Sequence, residues 1–285
     1  MDMRYRCLQF TLFFLVCLQA DETSLDDNRV RAYVHNSDMQ RRWAIAFIAP
    51  YLKELKGSEK ILDAGCGDGK ITADISKFIP EGTILGIDPS RSMIDWAKKQ
   101  YSSLEYPNLF FQEGSFLHPD LSGPFDLIFS NCALQHCVDQ YRVFKNLAKL
   151  LKPEGKLILS LPSMDNEAWM LARKNVQNRP KWRPYWKDVP SRVVLTTEEY
   201  VELLEGVGLY PKRIEKVATL DPFIDQKELV EFLIATLTPV LPKEEIEEFY
   251  QELMDQYIQN FPEALLENGV LEMRFGRIEI EAEKK

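Results

Sequence analysis

Gly65, Gly67 and Gly69 stand at alternate positions directly after the apolar pair Ile61-Leu62. They directly precede Ile71, Ile75 and Phe78, which share one helical face. Glycines at such a strand-to-helix turn permit a sharp bend and let backbone approach a ligand closely. Asp88 ends the next apolar run, Thr83-Ile84-Leu85-Gly86-Ile87. It lies about 20 residues past the glycines, where a carboxylate can accept both hydroxyls of a ribose. The dinucleotide fingerprint spaces its third glycine three residues after the second, and a phosphate-cradling loop ends in Gly-Lys-Ser/Thr. This loop does neither. Asp63, two residues before Gly65, would repel a pyrophosphate and suits a ligand carrying an ammonium group.

A second candidate is His136, in Ser130-Asn131-Cys132-Ala133-Leu134-Gln135-His136. Its imidazole can orient an acid by hydrogen bond, serve as general base toward a hydroxyl or amine, or merely cap the following helix. His118 reads as a surface-loop residue and His35 as either surface or pocket rim. No Ser-His-Asp triad or metal-ligand spacing is present. The five cysteines, an odd number without paired spacing, describe neither a disulfide framework nor a zinc site. Cys66, Cys132 and Cys137 read as small core residues.

The elements that must position these residues alternate from about Lys60 onward. Further strand candidates are Leu109-Phe110-Phe111, Phe125-Asp126-Leu127-Ile128-Phe129 and Lys156 to Leu161. Ser90 caps a helix whose Met93, Ile94 and Ala97 share a face. Tyr141, Phe144, Ala148 and Leu151 repeat at helical spacing until Lys152-Pro153 stops them. Near-continuous apolar strands alternating with helices predict a parallel sheet covered on both faces, with ligands at the carboxyl ends of its strands. Residues 162–195 lack periodicity but are rich in Trp, Arg, Lys and Pro. Thr196-Thr197-Glu198-Glu199 is a capping box, and Tyr200, Leu203, Leu204 and Val207 form the helix face behind it, stopped by Gly208. Two more helices carry Leu229, Leu233 and Leu237, then Ile246, Phe249, Leu253, Tyr257 and Phe261, with Pro242 in the first turn of the second. The alternating run Leu271 to Ile280 reads as a final strand.

Composition narrows the partners. Of 285 residues, 45% are hydrophobic and 28% charged, which excludes a fully disordered or collagen-like chain. Lys and Arg total 35 against 44 Asp and Glu, a net charge of −9 that argues against nucleic acid as a partner. Arg4 and Arg6 precede an apolar stretch, Cys7 to Leu18, and a small residue, Ala20. A spanning helix needs about 20 apolar residues, so no stable membrane span is expected. Residues 1–24 read as a secretory-signal-like segment or as an N-terminal extension.

The segment Ile61-Leu62-Asp63-Ala64-Gly65-Cys66-Gly67-Asp68-Gly69 resembles the first motif of the Rossmann-like, S-adenosylmethionine-dependent methyltransferases. Gly86-Ile87-Asp88-Pro89-Ser90-Arg91-Ser92-Met93 is similar to their second motif. Phe125 to Asn131 and Leu150 to Lys156 resemble their fourth strand and the approach to their fifth. The resemblance covers roughly residues 30–165. It implies an α/β fold: a Rossmann-like doubly wound, mostly parallel seven-stranded sheet with helices on both faces and a helical C-terminal insertion. It implies S-adenosyl-L-methionine as cofactor, its methionine portion held by Asp63, Gly65, Cys66 and Gly67. Asp88 takes the ribose with Pro89 beside it, Gly114-Ser115-Phe116 grips adenine, and Asn131 lies alongside. Ser115 stands where the family commonly has an acidic residue, which weakens that grip. A cytosolic cofactor implies a cytoplasmic enzyme; export or membrane attachment through residues 1–20 is the alternative.

Three stretches resemble the trans-aconitate and juvenile hormone acid methyltransferases more narrowly: Asn36 to Arg42, Ser130 to Asp139, and the helical stretch 226–261 with the final strand. That likeness divides residues 25–285 into lid helices (about 30–55), a cofactor core (about 58–165), a cap (about 166–195) and a helical insertion (about 226–262). It implies methyl transfer to a small-molecule acceptor at a carboxylate oxygen, with His136 and Gln40 as catalytic residues. His136 replaces a Trp usual in these relatives, which leaves open a hydroxyl, amine or carbon acceptor with His136 as base. A cofactor-binding protein without turnover, using its C-terminal helices for a partner, is the reading from another class. An acidic acceptor wants a cation, and Arg41, Arg42, Arg173, Arg179, Lys181 and Arg183 are the candidates. Tyr33, Gln40 and Trp43 can close over the cofactor. Trp182-Arg183-Pro184-Tyr185-Trp186 either lines the acceptor cavity or packs the cap. No oligomeric state is assigned.

Overall fold

Ile61, Leu62 and Ala64 expose none of their surface, because the strand they form lies mid-sheet between two others. The computed structural model describes residues 27–117, 121–163, 166–186, 193–236 and 241–285. Its strands are β1 (Lys60–Ala64), β2 (Thr83–Asp88), β3 (Leu109–Glu113), β4 (Phe125–Asn131), β5 (Leu151–Pro162), β6 (Leu209–Phe223) and β7 (Leu271–Lys284). They form one seven-stranded sheet in the order β3-β2-β1-β4-β5-β7-β6. The first five run parallel, and β7 enters antiparallel between β5 and β6. Strand order reverses between β1 and β4, and the crevice at their carboxyl ends is where such sheets bind ligands.

Helices cover both faces. On one, α1 (Asp27–Asn36) leads to α2 (Asp38–Leu52); α2 packs with α3 (Lys70–Ser76) and α1 with α4 (Arg91–Gln100). Phe47, Ile48, Ile75, Ile94 and Ala97 there join the sheet residues Ile61, Ile84 and Phe129. On the other, α5 (Gln140–Leu150) and α8 (Thr197–Gly206) bury Val143, Phe144, Leu147, Tyr200 and Leu204. The caps follow the sequence: the Ser90 hydroxyl accepts from the Met93 N–H, and Thr196 with Glu199 closes a reciprocal box.

Several expectations need correction. Phe78 is 47% exposed, because α3 stops at Ser76 and Ile79 takes the buried position instead. Tyr141 is half exposed, and Leu151 begins β5 rather than ending the helix. The aperiodic stretch 162–195 contains α6 (Glu167–Gln177) and the short α7 (Arg183–Trp186). α6 buries only Ala172 and Val176, too few to mark a helical period. The seventh strand of the expected sheet, unplaced by the sequence, is β6, an edge strand that leaves Lys212, Glu215 and Lys216 to water. Pro242 precedes a short 3-10 turn, Lys243–Glu245, that leads into α10 (Ile246–Asn260). α9 is described over Gln226–Thr236; Leu237 lies outside the described residues, as do residues 1–24 and His118.

A third apolar cluster joins α6, α9, α10 and Trp182 into one cap. Phe249 sits at its middle, 1% exposed, with ring centroids 5.3 Å from Trp182, 5.4 Å from Trp186 and 5.4 Å from Tyr250. Among the described residues, no helix is long and apolar enough to cross a membrane. Replacing Phe249 with Ala is expected to cost about 3–5 kcal/mol in urea denaturation. A loss under about 1 kcal/mol would show that the cap does not rest on this ring.

Candidate active site

The loop after β1 leaves no room for a side chain at Gly65 or Gly69. A Cβ on Gly65 would lie 2.2 Å from the Ala133 Cβ, and one on Gly69 2.6 Å from the Phe111 ring. Both residues are left-handed, at φ +93° and +78°. The Gly65 and Cys66 amides donate to the Ile87 carbonyl at 2.8 and 3.0 Å, locking the loop to β2. Asp88 ties the same junction: one carboxylate oxygen accepts from the Gly67 N–H at 3.0 Å, the other from the Ser90 N–H at 2.9 Å. Each oxygen keeps a lone pair for a further donor. Burial pushes the Asp88 carboxyl above its ordinary range.

Asp63 lies behind the loop, 2% exposed, and accepts from the Thr72 hydroxyl at 2.6 Å. Burial pushes its carboxyl up to about 7, against the Thr72 bond and with help from Asp88 and Asp68. Tyr33 of α1 covers the loop, its ring atoms 3.5 Å from where a Gly67 Cβ would stand, and burial drives its phenol pKa up. The cleft beneath Tyr33 also meets Asp63, Gly65, Cys66 and Asn131 and measures about 10 Å³. That is water-sized. The turn between α1 and α2 is tied to the loop. Ser37, between α1 and α2, donates to Asp68 at 3.0 Å, and Lys70 donates to the Val34 carbonyl and to Asp38 at 3.0 and 2.8 Å.

A larger cavity of about 1040 Å³ adjoins this cleft, and Tyr33 and Gln40 line both. Gln40 is 7% exposed, and its amide oxygen has no hydrogen-bond partner among the described residues. Such a buried acceptor costs about 1–3 kcal/mol unless a ligand or water satisfies it. The side-chain polar atoms of Gln135 (Oε1), Ser163 (Oγ), Gln177 (Nε2) and Trp186 (Nε1), also on the cavity wall, are likewise unpartnered. The wall carries Arg173, Lys174, Arg183 and Arg274 and, among the described residues, no Asp or Glu. In a chain of net charge −9 that is a strong local sorting of charge.

The site residues read from sequence distribute as follows. His136 ends a 3-10 turn, Leu134–His136, and lines the large cavity; the cap of α5 is Asp139, which accepts from the Arg142 N–H at 3.0 Å. Asn131 ends β4 at the small cleft and is followed by Cys132, a strained residue at φ +51° whose carbonyl accepts from Gln135 at 2.6 Å. The Ser115 hydroxyl accepts from the Leu117 N–H at 3.2 Å within its own loop, and Phe116 packs its ring edge against Gly65. Pro89 is exposed at the turn into α4. Of the candidate cations, only Arg173 and Arg183 reach the cavity. Arg41 pairs with Asp74 at 2.6 Å, Arg179 with Glu252 and Lys181 with Glu248, while Arg42 is exposed. Trp182 is fully buried in the cap, whereas Arg183, Pro184 and Trp186 line the cavity. His35 is exposed, and burial raises the Cys66 and Cys137 thiols, the latter to about 11. Sequence reasoning missed Lys174 and Arg274; Arg274 stands in the alternation of β7, between Met273 and Phe275. No cluster of three or more metal-binding side chains occurs among the described residues.

Known proteins share this architecture. A family model described as a methyltransferase domain matches residues 55–216. A trans-aconitate 2-methyltransferase of Deinococcus radiodurans is 33% identical over 154 residues, covering 52% of this chain and 57% of that protein. The match thus spans little more than half of that relative's length. A trans-aconitate 2-methyltransferase of Shigella flexneri is 29% identical over 256 residues, 88% of this chain and 96% of that protein. A solved geranyl diphosphate methyltransferase in complex with S-adenosylmethionine has the same fold, with a TM-score of 0.52 at 13% identity over 87% of this chain and 85% of that one.

The close approach at Gly65 yields a direct test. Gly65→Ala is expected to destabilise the protein by about 2–4 kcal/mol through the clash and the left-handed backbone. Ala133→Gly in the same molecule should recover part of that loss, read as coupling in a urea-denaturation cycle. Zero coupling would contradict the contact.

Proposed function

The chain belongs to the methyltransferase-domain family, within the S-adenosylmethionine-dependent, Rossmann-like class, and from that premise we propose that it methylates a carboxylate oxygen of a small anionic molecule held in the large cavity. The observation that carries this reading is the wall itself: four cationic residues and, among those described, no carboxylate. The bacterial relatives are trans-aconitate 2-methyltransferases, which agrees with an acid as acceptor.

S-adenosylmethionine, when bound, supplies a sulfonium methyl already activated for displacement. The chain's residues fit such a group: a loop with no room for a side chain at Gly65 and Gly69, a buried carboxyl at its back, and an orphaned amide oxygen beside it. In this reading Asp63, Gly65, Cys66 and Gly67 hold the methionine end, with the Asp63 carboxylate facing its ammonium. Asp88 takes the ribose hydroxyls, Pro89 and the Ser115-Phe116 loop flank the adenine side, and Asn131 borders the cofactor at the end of β4. Gln40, shared by both spaces, aligns the acid with the methyl group. A carboxylate acceptor would need no base, since it has no proton to lose on taking the methyl group that the bound cofactor would supply. Placement and exclusion of water suffice, and both fall to Tyr33, Gln40 and Trp43. Dependence on a cytosolic cofactor argues for a cytoplasmic enzyme.

His136 supports a second reading, in which its imidazole acts as base for a hydroxyl, amine or carbon acceptor. Its place on the cavity wall favours it. Incubation with methyl-labelled cofactor and a panel of acids (trans-aconitate among them), alcohols and amines separates the two. The acid reading predicts label in a base-labile ester and a kcat for His136→Asn within a few-fold of the parent. The base reading predicts stable label and a loss of about 10²–10⁴. Bound cofactor with no transfer to any acceptor would indicate a binding protein without turnover.

The raised Asp63 value gives a pH test. Below about pH 7 this carboxyl becomes neutral and no longer attracts an ammonium. Only the charged form binds, so cofactor affinity is expected to fall about fivefold between pH 7 and pH 6. Asp63→Asn should bind weakly and flatten the profile. In the cofactor-free protein the sign for stability is also fixed: this group's contribution is full below its unfolded value of 3.8 and is lost as pH rises through about 7. An affinity that strengthens on acidification would contradict the assignment.

A further inference from the structure

The hairpin of β6 and β7 presents an unusual strip to α2. Register places Thr219 opposite Phe275, Val217 opposite Arg277, and Asp221 opposite Met273, so these side chains share one face. Three of the strip's charged residues are almost sealed from water: Asp221 is 9% exposed, Glu279 6% and Arg277 5%. Against it lie Trp43, Phe47 and Tyr51, spaced four apart along α2. Arg277 stacks 4.9 Å over the Trp43 ring, Arg213 5.4 Å over Phe47, and the Tyr51 hydroxyl donates to Glu281 at 2.8 Å.

Asp221 has the most specific place in this strip. The Trp43 indole N–H donates to its Oδ1 at 3.3 Å, while its Oδ2 accepts from the Thr219 hydroxyl at 2.7 Å. Thr219 in turn accepts from Arg277 at 3.3 Å. Trp43 is therefore held on its polar edge by Asp221, on its face by Arg277, and against Phe275 at a centroid distance of 5.1 Å. Trp43 and Phe275 both form wall of the large cavity, whereas Asp221 does not. An indole has one polar atom. A flipped ring in the same slot would turn its N–H away from the carboxylate, and a hydrogen bond to a charged group biases such a choice about ten- to hundredfold. Apolar residues of similar size generally pack such a strip at least as stably as buried charges, so holding one ring orientation is the use that the contacts themselves indicate.

We propose that Asp221 is a positioning residue for the acceptor: it fixes the orientation of Trp43 and thereby shapes the cavity, without touching either substrate. The proposal rests on the large cavity being the acceptor site. Its test reads the indole directly and needs no turnover. In protein labelled with ¹⁵N-tryptophan, Trp43→Phe identifies the Trp43 indole among the five tryptophans. Asp221→Leu is expected to speed hydrogen exchange of that indole at least tenfold and leave the other four unchanged. Asp221→Asn, which keeps an acceptor oxygen, should hold it within about threefold. With whichever acid the label panel shows to be methylated, trans-aconitate tried first, Asp221→Leu should raise KM about tenfold at unchanged cofactor affinity, and Asn should rescue it. Should the Leu variant not fold, Asp221→Ala serves instead, since it removes the acceptor without adding bulk, and it is expected to show the same faster Trp43 indole exchange and the same KM rise. An unmoved Trp43 indole in Asp221→Leu, cofactor affinity and acceptor KM worsening together, or an Asn variant as impaired as Leu would each overturn the proposal. If no acid is methylated, the cavity's function is misread, but the indole exchange still decides whether Asp221 orients Trp43.

Discussion

Between Gly65 and Ala133 there is space for a hydrogen atom and nothing larger, and the rest of the site depends on that approach. It presses the loop after β1 against the exit of β4, so that Asn131, Cys132, Gln135 and His136 emerge beside the glycines rather than over them. Asp88 holds the same junction from the other side, through the amides of Gly67 and Ser90. Ser37 and Lys70 then tie the N-terminal helices to the glycine loop. Widening that single contact would move the cleft floor, the wall of the large cavity and the lid together.

Charge is sorted across the boundary that Tyr33 and Gln40 share. Around the glycine loop stand three carboxyls, Asp63 and Asp68 buried and Asp88 partly buried, each raised by desolvation and by a nearby carboxylate. The large cavity holds only cations among its described ionised residues. On the reading offered here, a ligand bearing ammonium and sulfonium charges sits among the acids, and an anion sits opposite. The acidic balance of the whole chain conceals this, because net charge sums over surfaces that the site does not use.

What the sequence disclosed follows from where the residues lie. β1, β2 and β4 are buried on both faces, so their apolar runs are continuous and their ends mark the loops that carry Gly65, Asp88 and Asn131. Ser90 and Thr196 cap their helices with local bonds that need no distant partner. β6 escaped because an edge strand can leave Lys212, Glu215 and Lys216 to water, and α6 because it buries two residues against a cap rather than a row against the sheet. Charged residues were least legible. Arg41, Arg179 and Lys181 look like Arg173 in sequence, yet each finds a carboxylate on a neighbouring helix far along the chain. Arg274 was overlooked because one cation in an alternating strand carries no local signal. Asp221 was overlooked for the same reason, its partner Trp43 lying 178 residues away.

The most direct test of the account is a crystal structure with S-adenosylhomocysteine and the acid that the label panel identifies. It predicts the acid in the large cavity, one carboxylate oxygen about 3–3.5 Å from the position of the transferable methyl, in line with the sulfur, and Gln40 beside it. Its charge should face some of Arg173, Lys174, Arg183 and Arg274. An acid bound outside this cavity, or one whose reacting atom is a hydroxyl or nitrogen hydrogen-bonded to His136, would contradict it.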